Sequence, residues 1–196
     1  TVNVDTLSIR MTEYTVGENG PKRMPAELPP QTGYTYALEI SADEAIAKGA
    51  DKVVFSKPVS FYVDNFLSLP AGIAMPLGYL NPKTGFWEAE PDGVVLAVLS
   101  HTNGRADLNT GSGQPATASE LAVFGIDDVE LQKISTLYQP GQSFWRVRIS
   151  HFTSFDLNGN VINDGTSQNA KVVYHKKNQK TECPGCVIDI VSGSMA

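Results

Sequence analysis

The chain has 196 residues, 41% hydrophobic and 18% charged, with a net charge of −6 and a pI near 5.0. That balance builds a core and excludes a disordered chain. Its acidity leaves no electrostatic footprint for nucleic acid, and no run of about 18 apolar residues is present for membrane insertion. Glycine (17) and proline (12) are scattered, which suits short strands joined by turns. The one basic cluster, His175-Lys176-Lys177 through Lys180, reads as a solvated edge or linker. The chain begins at Thr1 without a signal segment and stops at Ser194-Met195-Ala196, so a processed or excised fragment is expected.

Weak alternation over residues 1–16 (Val2, Val4, Leu7, Ile9, Met11) predicts an opening strand. The Pro-rich stretch from Pro21 to Pro30 cannot be a central strand, because each proline removes a ladder donor. Tyr34 to Ile40 alternates cleanly and predicts a strand. Ser41-Ala42-Asp43-Glu44 has the spacing of a capping box and predicts a short helix ended by Gly49. Val53-Val54-Phe55 and Val59 to Val63 read as strands bent apart at Pro58. Met75 to Tyr79 and Gly85 to Glu88 form a hairpin with Trp87 as core anchor, and Gly93 to Leu99 is an apolar strand buried on both faces. Residues 103–119 read as a polar surface loop.

A second helix starts near Asp127, puts Leu131, Ile134, Leu137 and Tyr138 on one face, and stops at Pro140-Gly141. Phe144 to Ile149 is a strand, followed by His151-Phe152-Thr153-Ser154-Phe155. The expected class is all-β: a β-sandwich with two short helices over 1–156, a linker over 157–171, and a C-terminal hairpin over 172–196 leading into a further region. In that hairpin Val172-Val173-Tyr174 pairs with Val187 to Val191.

Several phrases carry a family likeness. Phe55-Ser56-Lys57-Pro58-Val59-Ser60-Phe61-Tyr62-Val63-Asp64-Asn65-Phe66-Leu67 resembles a segment of large bacterial Rhs (YD-repeat) proteins. Pro76-Leu77-Gly78-Tyr79-Leu80-Asn81 with Gly85-Phe86-Trp87 resembles their Pro-x-Gly-Tyr-Tyr-Asp…Trp segment. Leu137 to Val147 and His151-Phe152-Thr153 complete the set, over residues 1–156 and again at Cys186 to Asp189. In such proteins this region lies upstream of the repeat shell, in a position similar to the fibronectin-plug region of teneurins. The resemblance implies a secreted or cell-surface giant protein in which a non-enzymatic module supports or plugs a β-shell. Its implied partners are neighbouring domains of the same protein, with a cell-surface protein or glycan as a further class. Relatives often carry an Asp-rich calcium-type loop after the apolar strand, but Asp107 to Gly113 brings only one charge here.

Candidate chemistry is sparse. His151-Phe152-Thr153 resembles the His-Phe-Ser tripeptide of self-cleaving β-sandwich domains in netrin-receptor relatives and death-domain adaptors. In that reading Thr153 is the nucleophile, His151 the base and Phe152–Thr153 the scissile bond. The competing reading, in which His151 ends a strand and Phe152 and Phe155 sit in the core, is preferred because the strain such cleavage needs is not visible in a sequence. Cys183-Pro184-Gly185-Cys186 suits a local disulfide, free thiols, half a metal site or a redox pair; an exported chain with an even cysteine count favours the disulfide. Asp156, Asn158, Asn160 and Asp164 have the alternate spacing of a calcium loop, but Ser167 stands where the bidentate carboxylate belongs, so no metal site is expected. The three histidines are scattered, no Gly-x-Ser-x-Gly elbow occurs, and Gly111-Ser112-Gly113 lacks the following Lys-Ser/Thr, so no cofactor is expected. Tyr34, Tyr36, Tyr62, Tyr79, Phe86 and Trp87 fit a carbohydrate face, though at strand spacing core packing is the commoner use.

Overall fold

The computed structural model describes residues 7–14, 24–26, 35–50, 52–158 and 187–188. They form β1 (Ile9–Glu13), β2 (Tyr36–Ala42), α1 (Asp43–Ala47), β3 (Val54–Asp64), β4 (Ala74–Leu80) and β5 (Trp87–Thr102). After these come β6 (Arg105–Asn109), α2 (Ala118–Val123), α3 (Asp128–Leu137), β7 (Ser143–His151), β8 (Ser154–Leu157) and β9 (Val187–Ile188). The chain is all-β with short helices. Its strands join in one antiparallel sheet of order β1-β2-β8-β4-β5-β7-β3-β9, with β6 paired to β5.

The sheet curls, so that β2 faces β3 and β7 across a shared core. Tyr36, Leu38 and Ile40 of β2 pack there with Phe61, Val63, Trp145, Val147 and Phe155. The other face of β5, β7 and β3 is covered by α3 and the chain before it, where Val94, Leu96, Tyr62 and Phe144 meet Ile126, Leu131 and Ile134. Strand alternation therefore sends neighbouring residues to different cores, as with Val94 and Val95 or Phe144 and Trp145. Val94 to Val98 is buried on both faces for this reason, while Leu99, expected in the same run, is exposed. Gly93 lies where β5 passes close to β7: a Cβ there would stand 2.4 Å from Val147 Cγ1 and 2.5 Å from the Arg146 carbonyl oxygen.

Prolines punctuate the ladders where a donor is dispensable. Val54–Phe55 and Val59–Val63 belong to one long β3, which Val53 precedes, with a register shift against β7 between Val54 and Val59 that accommodates Pro58. A second shift, between β4 and β5, falls beside Pro76 and Pro91.

Several expectations are corrected. Ser41 does not cap α1: it lies in β2, the N-cap is Ala42 without a side-chain bond, and the Glu44 carboxylate instead accepts from the Ser8 amide (2.6 Å) and hydroxyl (2.5 Å). Gly49, at φ +68°, ends that helix as expected, its N–H donating to the Ile46 carbonyl. Trp87 is half-buried, and the core anchor is Trp145, which is 0% exposed. Within 103–119 the polar surface hides a strand, β6, whose Ala106 and Leu108 are buried, and the start of α2. Three helices therefore occur among the described residues, not two. Residues 172–174 lie outside the described residues, and Val187 and Ile188 pair with Tyr62 and Phe61 of β3.

Candidate functional site

The crossover from β7 to β8 carries the sequence's sharpest chemical candidate. Alternation along β7 sends Trp145, Val147 and Ile149 to the curled core and, with them, His151. The imidazole is 4% exposed, with its ring edge-on to Tyr79 at 4.9 Å and stacked on Phe155 at 5.6 Å. Its Nε2 meets Glu90 Oε1 at 3.0 Å, and its Nδ1 is buried without a partner. Phe152 packs edge-on against Phe55 (4.8 Å), and its N–H donates to the Val53 carbonyl. The Thr153 hydroxyl donates to the Leu80 carbonyl at 2.9 Å, while the Thr153 carbonyl accepts from the Ile40 N–H.

These bonds tie the crossover to β2, to β4, and to the chain leading into β3. They also define its chemistry. Self-cleavage needs the hydroxyl activated by the imidazole and aimed at the preceding carbonyl. Here the hydroxyl and the imidazole each have another partner and share no hydrogen bond. Positive φ among described non-glycine residues occurs at Ser68 and Asn103, so the crossover holds no left-handed strain.

Above the crossover lies a cleft of about 210 Å³, walled by Ile40, Ala45, Ile46, Val53, Tyr79 and Phe152. Lys52 Nζ stands 5.8 Å over the Tyr79 ring. The Tyr79 hydroxyl donates to Glu88, which also takes the Asn81 amide at 2.7 Å; these bonds hold the Glu88 carboxyl below its ordinary range. The rim is thus a braced hairpin, and its floor is mostly apolar.

The oxygen-rich stretch after β8 is described only in part. Asp156 is 1% exposed, in register with Ala37 of β2 and Gly78 of β4. Its Oδ2 accepts the Asn158 amide at 2.6 Å, while its Oδ1 and Asn158 Oδ1 are buried without partners. Burial pushes the Asp156 carboxyl up to about 6, with the Asn158 bond pulling the other way. Asn160, Asp164, Cys183 and Cys186 lie outside the described residues. Among the described residues no group of three or more His, Cys, Asp or Glu side chains is placed to hold a metal. In the 107–113 loop, Asp107 instead takes the Ser100 and Thr102 hydroxyls at 2.5 and 2.7 Å, and Asn109 Oδ1 takes the Gly111 and Gly113 amides.

Tyr34 lies outside the described residues, and the described members of the aromatic set do not form one face. Tyr36 belongs to the curled core, Tyr62 to the core under α3, and Phe86 sits 73% exposed on the β4–β5 hairpin. No helix among the described residues is long and apolar enough to cross a membrane.

The sequence reading missed the most elaborate polar group. Arg146 forks onto Glu130, Nε to Oε1 at 2.6 Å and Nη2 to Oε2 at 2.8 Å. It also donates to the Ser60 hydroxyl and the Phe124 carbonyl, while the Tyr62 hydroxyl donates to Glu130 at 2.7 Å. The available signal was an arginine inside the apolar run Phe144 to Ile149, since a charge there must find a partner. A second missed brace is Asn65, which accepts the Trp145 indole N–H at 2.9 Å and holds the loop after β3 through Leu69.

No family model, curated protein or solved structure matches this chain.

Proposed function

We propose that the chain is a non-enzymatic structural module of a large exported Rhs- or teneurin-like protein, one that supports or plugs a β-shell. The reading starts from the phrases at Phe55–Leu67, Pro76–Trp87 and Leu137–Val147. The observation that carries it is where the buried polar groups go: Arg146, Glu130, Tyr62 and Asn65 brace sheet, helix and loop against one another. Even the crossover candidate is engaged this way, His151 with Glu90 and Thr153 with the Leu80 carbonyl. Such bracing suits a part that holds a shape against its neighbours. Cross-linking mass spectrometry on the full-length parent protein tests it: cross-links from this module into the repeat shell are expected, and their absence overturns the reading.

One observation favours a second reading, autoproteolysis at Phe152–Thr153: His151 Nδ1 is buried and free two residues before a hydroxyl. An intact denaturing mass decides it. A single full-length species supports the scaffold, whereas fragments 1–152 and 153–196, abolished by Thr153→Ala, establish self-cleavage.

A further inference from the structure

We propose that Asp156 makes the β2–β8–β4 seam a pH-sensitive latch, which holds the N-terminal unit of β1, β2 and α1 to the sheet when protonated and loosens it when ionised.

The strand order sets the stage. In the hydrogen-bonded sequence β1-β2-β8-β4, the four-residue β8 is the strand through which β1 and β2 reach the rest of the sheet. Asp156 sits within that strand, between Ala37 and Gly78, so its carboxyl lies on the seam itself. It is 1% exposed, and one of its oxygens has no partner. An ionised carboxylate in that setting lacks the hydrogen bonds and counter-charge that buried charges require.

Among the described residues, the facing groups supply no counter-charge. From β2 come Ala37 and, two pairs along, Glu39, itself a carboxylate that accepts the Tyr14 hydroxyl. From β4 comes Gly78, and beside it the uncharged Trp87 indole of β5, whose Cε3 lies 3.8 Å from where a Gly78 Cβ would stand. From the chain after β8 comes the Asn158 amide. Arg10, on β1, is paired with Asp43 at 2.9 Å.

The sign follows from linkage. The folded carboxyl titrates at about 6, against an ordinary aspartate value of about 3.9. Between those values the folded seam keeps its proton while the opened chain loses it, so opening becomes easier as pH rises through the window and levels off above it. The proposal does not depend on the scaffold reading.

Native-state hydrogen exchange on the full chain tests it, with rates corrected for intrinsic pH dependence. Protection at Leu38 to Ile40 and Phe155 to Leu157 is expected to fall roughly twentyfold between about pH 4.5 and about pH 7.5. Protection at Val95, Trp145 and Val147, which is lost only in larger openings, is expected to stay above that of the seam throughout. Asp156→Asn, near-isosteric and neutral, removes the pH step and keeps the seam protected at neutral pH. Three outcomes overturn the proposal: a flat profile at the seam, seam amides as well protected as those of β5 and β7 at neutral pH, or a pH step that survives in Asp156→Asn. The wild-type profile decides the matter even if the variant does not fold.

Discussion

Two buried carboxylates sit on this sheet under opposite rules. Glu130, where α3 meets β7, is met by the Arg146 fork and the Tyr62 hydroxyl. Burial pushes its carboxyl up, but the Arg146 bonds and charge, together with Tyr62, outweigh that and hold it below the ordinary range. Asp156, where β2 meets β4, has one amide for a partner, and there burial prevails. Burial alone therefore does not decide the charge state of a carboxyl. What decides it is whether the fold brings a cation and donors to every oxygen.

The comparison breaks most severely at Arg146. Arg146→Met fills the space but strands Glu130 as an uncompensated buried charge, which costs about 3–5 kcal/mol. The urea midpoint should drop accordingly, and the double variant Arg146→Met/Glu130→Leu should recover most of the loss. A single-variant loss below about 1 kcal/mol would mean that the pair behaves like a surface one.

A pH titration of stability sharpens the same contrast, because the two groups slope oppositely. Glu130, with its lowered value, contributes stability that is present above its unfolded value of about 4.3 and lost as pH falls through the folded one. Asp156, with its raised value, contributes stability that is present below about 3.9 and lost by about pH 6. At neutral pH, Asp156→Asn is expected to stabilise the protein by about 2 kcal/mol, and by much less near pH 4. Equal effects at both values would show that its carboxyl is not titrating in that window.

How much of this was legible follows from which interactions are local. Period-two alternation located β2, apolar-rich runs located β7 and the buried centre of β5, and Asp127 with Glu130 located the start of α3, because those signals lie within a few residues. The strand β6 was hidden by its setting: Arg105, Asp107 and Asn109 alternate with only two buried residues, Ala106 and Leu108, in a Gly-rich run. The Glu130–Arg146 fork joins residues 16 apart in sequence, and the His151–Glu90 contact joins residues 61 apart. Spacing rules do not reach that far. Trp87 and Trp145 show the same limit: both lie in strands, and only the tertiary packing makes the second the core anchor.

The smallest effect comes from two copies of one local pattern. Ser41-Ala42-Asp43-Glu44 and Thr117-Ala118-Ser119-Glu120 share the spacing of a capping box, although a helix is expected only from the first. The second forms: the Glu120 N–H donates to Thr117 Oγ1 at 3.3 Å, and the Thr117 N–H to Glu120 Oε2 at 2.7 Å. The first does not, because Ser41 is held in β2 opposite Arg10 and Glu44 is taken by Ser8. Strand pairing outcompetes the cap where the helix starts directly from a ladder, and the cap wins where the helix follows a loop. Thr117→Ala is therefore expected to cost about 1 kcal/mol, and Ser41→Ala no more than about 0.5 kcal/mol, both read from denaturant midpoints. Equal losses would mean that Ser41 supports α1 by a route other than its cap, and the distinction between the two starts would fail.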